Sequence, residues 1–231
     1  MTKRLVATRS DDSQKWMEDL THPILKEYAN RCGADFLVIR DMYKDFHIHY
    51  RILKFYELFD EYDEIYSIDT DTIIKKNCPN IFEVVPVNYY IASVFEDVGS
   101  RKNDRRSRIR AVQKKFGDVG YDRDYINTGS ALFRKESKEI FNAKDSNSVW
   151  NGLGFDDVEL WYKIHKLGFK VYELPIVYNY MSLFQESWSG FKSRGEAFVI
   201  HYAGQAQFCP SRSREEIIKE DILVLRKYGM V

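Results

Sequence analysis

Cysteine is scarce, and what there is does not cluster: Cys32, Cys78 and Cys209 stand far apart, with no C-x-x-C pair among them. That spacing excludes both a cysteine zinc site and a disulfide framework, and it points to reduced thiols in a cytoplasmic protein. Long apolar runs are missing too. Met1 leads into Thr2-Lys3-Arg4 and only a short hydrophobic stretch, so neither a signal peptide nor a spanning helix is expected, and any membrane contact would be peripheral. There is no net charge, because 35 basic residues balance 35 acidic ones, which argues against a protein that coats nucleic acid. Repeats, low-complexity tracts and linkers are absent. What is present, 231 residues at 44% hydrophobic content and rich in Tyr and Phe, suits one folded domain with a substantial core.

The apolar pattern orders the elements. Arg4-Leu5-Val6-Ala7-Thr8 reads as a strand, and the polar stretch from Arg9 to Ser13 can cap a helix starting near Gln14. Trp16, Leu20, Ile24, Leu25 and Tyr28 follow at helical spacing, with Pro23 as an interruption and Gly33 as the stop. A second strand is expected over Asp35 to Ile39, a second helix over Ile52 to Phe59, and a third strand over Glu64 to Ile68. This alternation predicts an α/β fold with a mostly parallel sheet covered by helices. Tyr89 to Val94, Ser130 to Phe133 and Phe169 to Leu174 add strands, and Val158 to Leu167 adds a helix ended by Gly168.

Two carboxylates close the third strand, in Asp69-Thr70-Asp71. Side chains at i and i+2 share one side of an extended backbone, and the carboxyl ends of parallel strands are where such folds place ligands. Two hard oxygen donors there suit Mg²⁺ or Mn²⁺ held together with a substrate diphosphate.

The succession of Ala7-Thr8, a helix with Arg51 and Lys54, the segment Tyr62 to Ile74 around Asp69-Thr70-Asp71, Asn127-Thr128-Gly129-Ser130 and His201-Tyr202-Ala203-Gly204 resembles the GT-A glycosyltransferases, nearest to the glycogenin and lipopolysaccharide-galactosyltransferase group. It is similar as well to the compact glycosyltransferase domains of large viruses and bacteria. The resemblance runs from about Leu5 to Gly204. It implies a single GT-A domain, with residues 1–95 as the nucleotide-binding half, 96–212 as the acceptor side and 213–231 as a C-terminal helix. It further implies a nucleotide-diphosphate sugar as donor, with UDP preferred and GDP as the alternative, and a glycan, protein or lipid-linked acceptor, in a monomer or homodimer. Asp69, Asp71 and His201 would hold Mn²⁺ or Mg²⁺, with Asp69 and Thr70 also meeting the donor. Ala7, Thr8 and Arg9 would lie beside base and ribose, Arg51 and Lys54 would face the donor, and Asn127, Gly129 and Gly204 would line the sugar pocket. One departure is visible: no lysine follows Gly204 where the glycogenin group binds diphosphate, so the metal, Lys54 or an arginine such as Arg212 would have to neutralise the phosphates.

Gly154-Phe155-Asp156-Asp157-Val158-Glu159-Leu160-Trp161 resembles the acidic pair that opens a helix in inverting GT-A enzymes, with Asp157 as general base and Asp156 orienting the acceptor. The helix N-terminus favours ionised carboxylates there; a plain helix cap is the competing explanation. Retention, as in the glycogenin group, is the alternative stereochemistry. His47 and His49 read as surface or pocket-rim residues, and Tyr178, Tyr180, Phe184, Trp188 and Phe191 as core. The basic run from Arg101 to Arg110 with Lys114 and Lys115 is expected to be a loop or exposed helix, either simply solvated or closing over an anion; it has too few aromatics for base stacking. Ser213 to Glu216 caps a last helix carrying Ile217, Ile218, Ile222 and Leu225. Two other function classes fit the D-x-D: a phosphatase-like hydrolase, disfavoured by Ile73 at the fifth position, and a non-catalytic sugar- or nucleotide-binding domain.

Overall fold

A computed structural model describes residues 2–43, 46–146, 156–181, 194–204 and 211–231. Met1, Gly154, Phe155, Phe184, Trp188, Phe191 and Gln205 to Pro210, including Cys209, lie outside the described residues.

The chain opens with β1 (Arg4–Arg9), α1 (Lys15–Arg31) and β2 (Asp35–Ile39). A 3-10 segment (Ile48–Lys54) runs into the short α2 (Phe55–Leu58) and then β3 (Glu64–Ile68), β4 (Thr72–Ile74), α3 (Ile81–Val84) and β5 (Ile91–Phe95). The second half supplies α4 (Lys102–Phe116), β6 (Ile126–Arg134), α5 (Asp156–Lys166), β7 (Val171–Glu173), β8 (Tyr180–Met181), β9 (Val199–His201) and α6 (Arg214–Lys227). Among the described residues six strands form one sheet in the order β2-β1-β3-β6-β5-β7. Its pairs are parallel except for β6, which runs antiparallel to both β3 and β5. Because β6 is inserted between strands of the first half, the expected nucleotide and acceptor halves share a single sheet.

Alternation along the strands divides the core. Leu5, Ala7, Ile65 and Phe133 face one side, where Phe55, Phe59, Phe141 and Trp161 cover them. Val6, Tyr66, Ile68 and Leu132 face the other, against Leu25, Tyr28, Ile81 and Phe82. Each such large apolar side chain contributes about 1.5–3 kcal/mol by leaving water. A second, three-stranded sheet, β4-β9-β8, packs with α1 and α6 through Met17, Ile73, Ile200, Tyr202, Ile217 and Ile222.

Three local expectations change. Helix α1 runs unbroken through Pro23, whose ring is exposed while Ile24, Leu25 and Tyr28 are buried on the opposite side, so packing outweighs one missing N–H. The second helix is half 3-10, since apolar spacing at i and i+3 serves either form. The basic run forms α4, but it is not a merely solvated face: Ile109 and Val112 are buried, Arg105 pairs with Glu96, and Arg106 pairs with Asp97 at 2.8 Å. At the far end Ser213 and Glu216 make the reciprocal capping box expected for α6. Cys32 and Cys78 are free and buried. Among the described residues no helix is long and apolar enough to cross a membrane.

Candidate functional site

The third strand delivers Asp69 as expected, but the two carboxylates meet through a turn rather than along an extended strand. Asp69 N–H donates to Gly129 O (2.9 Å) at the end of the large sheet, and the chain then crosses to β4 of the small one. Thr70 faces inward, with its Oγ1 3.0 Å from Thr8 Oγ1 and donating to Arg9 O (3.0 Å), while its carbonyl accepts from Thr21 Oγ1 (2.7 Å). Pairing of β4 with β9 sets Thr72 opposite His201, and Tyr202 N–H donates to Asp71 O (2.9 Å). The turn is thereby clamped from both sides, and it brings Asp71 against a histidine from the other end of the chain.

His201 Nε2 lies 3.2 Å from Asp71 Oδ1 and 3.6 Å from Asp69 Oδ2. One ligand atom from each of the three residues fits within 4.8 Å of the others. Each carboxylate spends its remaining oxygen on an arginine: Arg9 pairs with Asp69 Oδ1, and Arg214 Nη1 lies 2.8 Å from Asp71 Oδ2. Burial opposes ionisation of Asp71, but His201 and Arg214 outweigh it and hold its carboxyl below the usual carboxylate range. Burial likewise opposes the charged form of His201, and the carboxylates reverse this, so the ring holds its proton more tightly than an ordinary histidine.

Gly129 forms the floor of this cluster. A Cβ there would stand 2.5 Å from His201 Cε1, 2.6 Å from Asp69 Oδ2 and 2.9 Å from Asn127 Oδ1, inside contact distance of three ordered side chains. Gly129→Ala is expected to cost about 1–3 kcal/mol, as overpacking does, and to weaken divalent-cation binding as His201 and Asp69 are pushed apart. Thermal unfolding and Mn²⁺ titration check this; wild-type affinity in a stable variant would count against the placement.

The acidic pair opens α5 beside the same space. Thr128 holds both members: its N–H and Oγ1 donate to Asp157 Oδ1, each at 2.8 Å, and its Oγ1 lies 3.0 Å from Asp156 Oδ2. Arg9 Nη1 is 3.7 Å from Asp156 Oδ2, so Arg9 stands between the first D-x-D carboxylate and the pair. The expected effect of the helix start is opposed by desolvation. Burial pushes Asp156 up despite Arg9, and it pushes Asp157 up with the charges of Asp156 and Glu96 adding to it.

These groups line one cavity of about 300 Å³. Of the residues singled out in the sequence, Arg9, Asp69, Asp71, Asn127, Gly129, Gly204, Asp156, Asp157 and His201 line it. Ala7, Thr8, Thr70, Arg51 and Lys54 do not. Ala7 is packed in the core and Thr8 is buried; Arg51 pairs with Asp11 (3.0 Å), and Lys54 sits 3.5 Å from Glu57. Arg212 pairs with Glu220, away from the cavity, whereas Arg214, two residues on, lines it. His49 is at the rim, its Nδ1 3.6 Å from Asp156 Oδ1. Sequence reasoning missed Glu96, Arg214 and Asn179. Glu96 and Arg214 carry no motif, and Asn179 falls in the Tyr178 to Tyr180 stretch read only for its aromatics. Arg101 and Arg105, noticed as part of a basic run, also line the cavity.

No family model and no curated protein matches this sequence. Solved structures do match. A glycosyltransferase involved in the glycosylation of the major capsid of PBCV-1 aligns over 94% of this chain and 99% of its own, with a TM-score of 0.60 and 14% identity. The galactosyltransferase LgtC, in complex with donor and acceptor sugar analogues, aligns over 94% and 95%, with a TM-score of 0.59 and 12% identity. The catalytic domain of Drosophila β1,4-galactosyltransferase 7, in complex with xylobiose, aligns over 95% and 80%, at 0.52 and 14%. The fold is therefore that of the GT-A glycosyltransferases.

Proposed function

We propose that this chain is a metal-dependent glycosyltransferase that moves a sugar from a nucleotide-diphosphate donor, preferably a UDP-sugar, to a hydroxyl of a glycan, protein or lipid-linked acceptor. The observation that carries it is the convergence, in one cavity of a GT-A fold, of Asp69, Asp71 and His201 with the Asp156–Asp157 pair. The donor set fits a divalent cation: two carboxylate oxygens and an imidazole nitrogen suit Mn²⁺, and the side-chain-free floor at Gly129 keeps room for them. When bound, the ion would offset the charge that builds on the departing diphosphate. Arg214 and Arg101 line the same cavity and would contribute to that neutralisation, in place of Lys54 and Arg212.

In the preferred inverting reaction Asp157 takes the proton of the acceptor hydroxyl. The acceptor oxygen forms the new bond to the anomeric carbon, the bond from that carbon to the diphosphate breaks, and the nucleoside diphosphate leaves with the electron pair. Thr128 keeps one Asp157 oxygen fixed, so the other is the proton acceptor. Asp156, held by Thr128 and Arg9, orients the acceptor. Retention, implied by the resemblance to the glycogenin group, is the second reading; the raised Asp157 carboxyl supports the first, because a carboxylate that titrates nearer neutral pH is the better general base there.

The test is incubation with UDP-, GDP- and dTDP-sugars, with Mn²⁺ or with chelator, followed by NMR of free nucleotide and sugar. Metal-dependent release from one donor is expected, and the first anomer seen separates inversion from retention. Phosphate release without sugar transfer would favour a hydrolase; tight nucleotide binding with no turnover, even with acceptors supplied, would favour a binding domain.

A further inference from the structure

Behind His201 a row of buried side chains runs along the cavity, through Asn179 to residues that line it again. His201 Nδ1 lies 2.8 Å from Asn179 Oδ1, Asn179 Nδ2 donates to Asn127 Oδ1 at 2.8 Å, and Asn127 Nδ2 donates to Glu96 Oε1 at 2.9 Å. Arg105 Nε, from the basic helix α4, donates to the other oxygen of Glu96. All five side chains are buried.

The far end of this row dictates the near end. A carboxylate paired with arginine accepts at both oxygens, so Asn127 must turn its NH₂ toward Glu96. Its Oδ1 then faces the Gly129 N–H (2.9 Å), a backbone donor that independently requires an acceptor there. Only the NH₂ of Asn179 can share that oxygen, which leaves Asn179 Oδ1 for the imidazole. The hydrogen bond therefore needs a proton on Nδ1, and in the neutral ring the lone pair falls on Nε2, the atom that faces Asp69 Oδ2 and Asp71 Oδ1.

We infer that Asn179, Asn127 and Glu96 are positioning residues that hold His201 in its Nδ1–H tautomer and present Nε2 to a divalent cation, with Arg105 closing the row. The inference rests on the metal-dependent reading above. Part of the basic run thereby acquires a role, because through Glu96, Asn127 and Asn179 it fixes a proton position on His201. Outer partners of this kind are typically worth about 10–100-fold in metal affinity.

Long-range ¹H–¹⁵N NMR of the metal-free protein at alkaline pH, where the ring is neutral, reads the tautomer directly; His201→Gln assigns the signal. The wild type is expected to carry the proton on Nδ1. Asn179→Asp keeps an acceptor for Nδ1 and should keep the Nδ1–H tautomer, although it gives up the donation to Asn127 Oδ1. Asn179→Leu should give mixed tautomers and lose about 10–100-fold in Mn²⁺ affinity by EPR titration. Glu96→Gln, which touches neither His201 nor the cation atoms, serves if the leucine variant does not fold: its NH₂ competes for Asn127, and Mn²⁺ affinity should fall. An Nε2–H tautomer in the wild type, or wild-type tautomer and affinity in Asn179→Leu or Glu96→Gln, would overturn the inference. A wild type with the Nδ1–H tautomer that binds no Mn²⁺ would instead overturn the metal reading beneath it.

Discussion

Replacing Asp71 with asparagine is expected to abolish Mn²⁺-dependent donor binding and to lower kcat/KM by about 10³-fold or more, with the fold retained. Asp71 supplies one of the three converging ligand atoms and is the carboxylate nearest His201 Nε2. An amide of the same shape keeps the volume but removes the charge, so a cation would face one carboxylate instead of two. Metal stabilisation of developing charge is worth several kcal/mol, and each 1.36 kcal/mol is about tenfold in rate. Arg214 would also lose the charge of its partner at 2.8 Å, at a cost of about 1 kcal/mol of stability, the difference between a hydrogen bond to a charged and to a neutral group. Isothermal titration with UDP, with and without Mn²⁺, checks the first effect and circular dichroism the second. Unchanged metal-dependent binding would remove Asp71 from the site.

Asp157→Asn is the second large effect, and it should fall on a different step. Donor binding is expected to stay near wild type, while transfer slows by about 10²–10⁴-fold, the usual contribution of a positioned general base. Asparagine can still accept from Thr128 N–H, so the start of α5 should hold. The pH profile gives a further readout. Desolvation, with Asp156 and Glu96 adding to it, raises the Asp157 carboxyl above the ordinary carboxylate range, so the base form is lost as pH falls and regained as it rises. Wild-type transfer should therefore increase with pH until the acidic pair has given up its proton, and this dependence should flatten in the asparagine variant. A variant that transfers at the wild-type rate would exclude Asp157 as the base and leave the retaining reading.

Much of this was legible in the chain because it follows from short-range pattern. Short apolar runs at Leu5 to Ala7 and Ile65 to Ile68 marked the strands, and Asp69-Thr70-Asp71, Asp156-Asp157 and His201 marked five of the side chains that line the cavity. What escaped depends on pairing across long separations. The direction of β6 is not encoded in its own apolar run, and the helical spacing around Pro23 does not say whether packing will override it. Ala7, Thr8, Arg51 and Lys54 were placed by position in the chain and lie outside the lining of this cavity, the first two by burial and the others beside Asp11 and Glu57. Asn179 and Glu96 gave no signal because an amide or a carboxylate acquires meaning only from what it faces.

The β4–β9 pairing has a consequence in time. Asp71 and His201 meet only when Thr72 and His201 lie opposite each other, a contact between residues far apart along the chain. Contacts of that kind carry a large loop-closure entropy and form late in folding. During synthesis from the N-terminus the large sheet can begin to assemble from β1, β2 and β3, with Asp69 and Asp71 already added, while His201 is still to be made. Under the proposed reaction, metal-dependent donor chemistry would be withheld from partly made chains until β9 has been added.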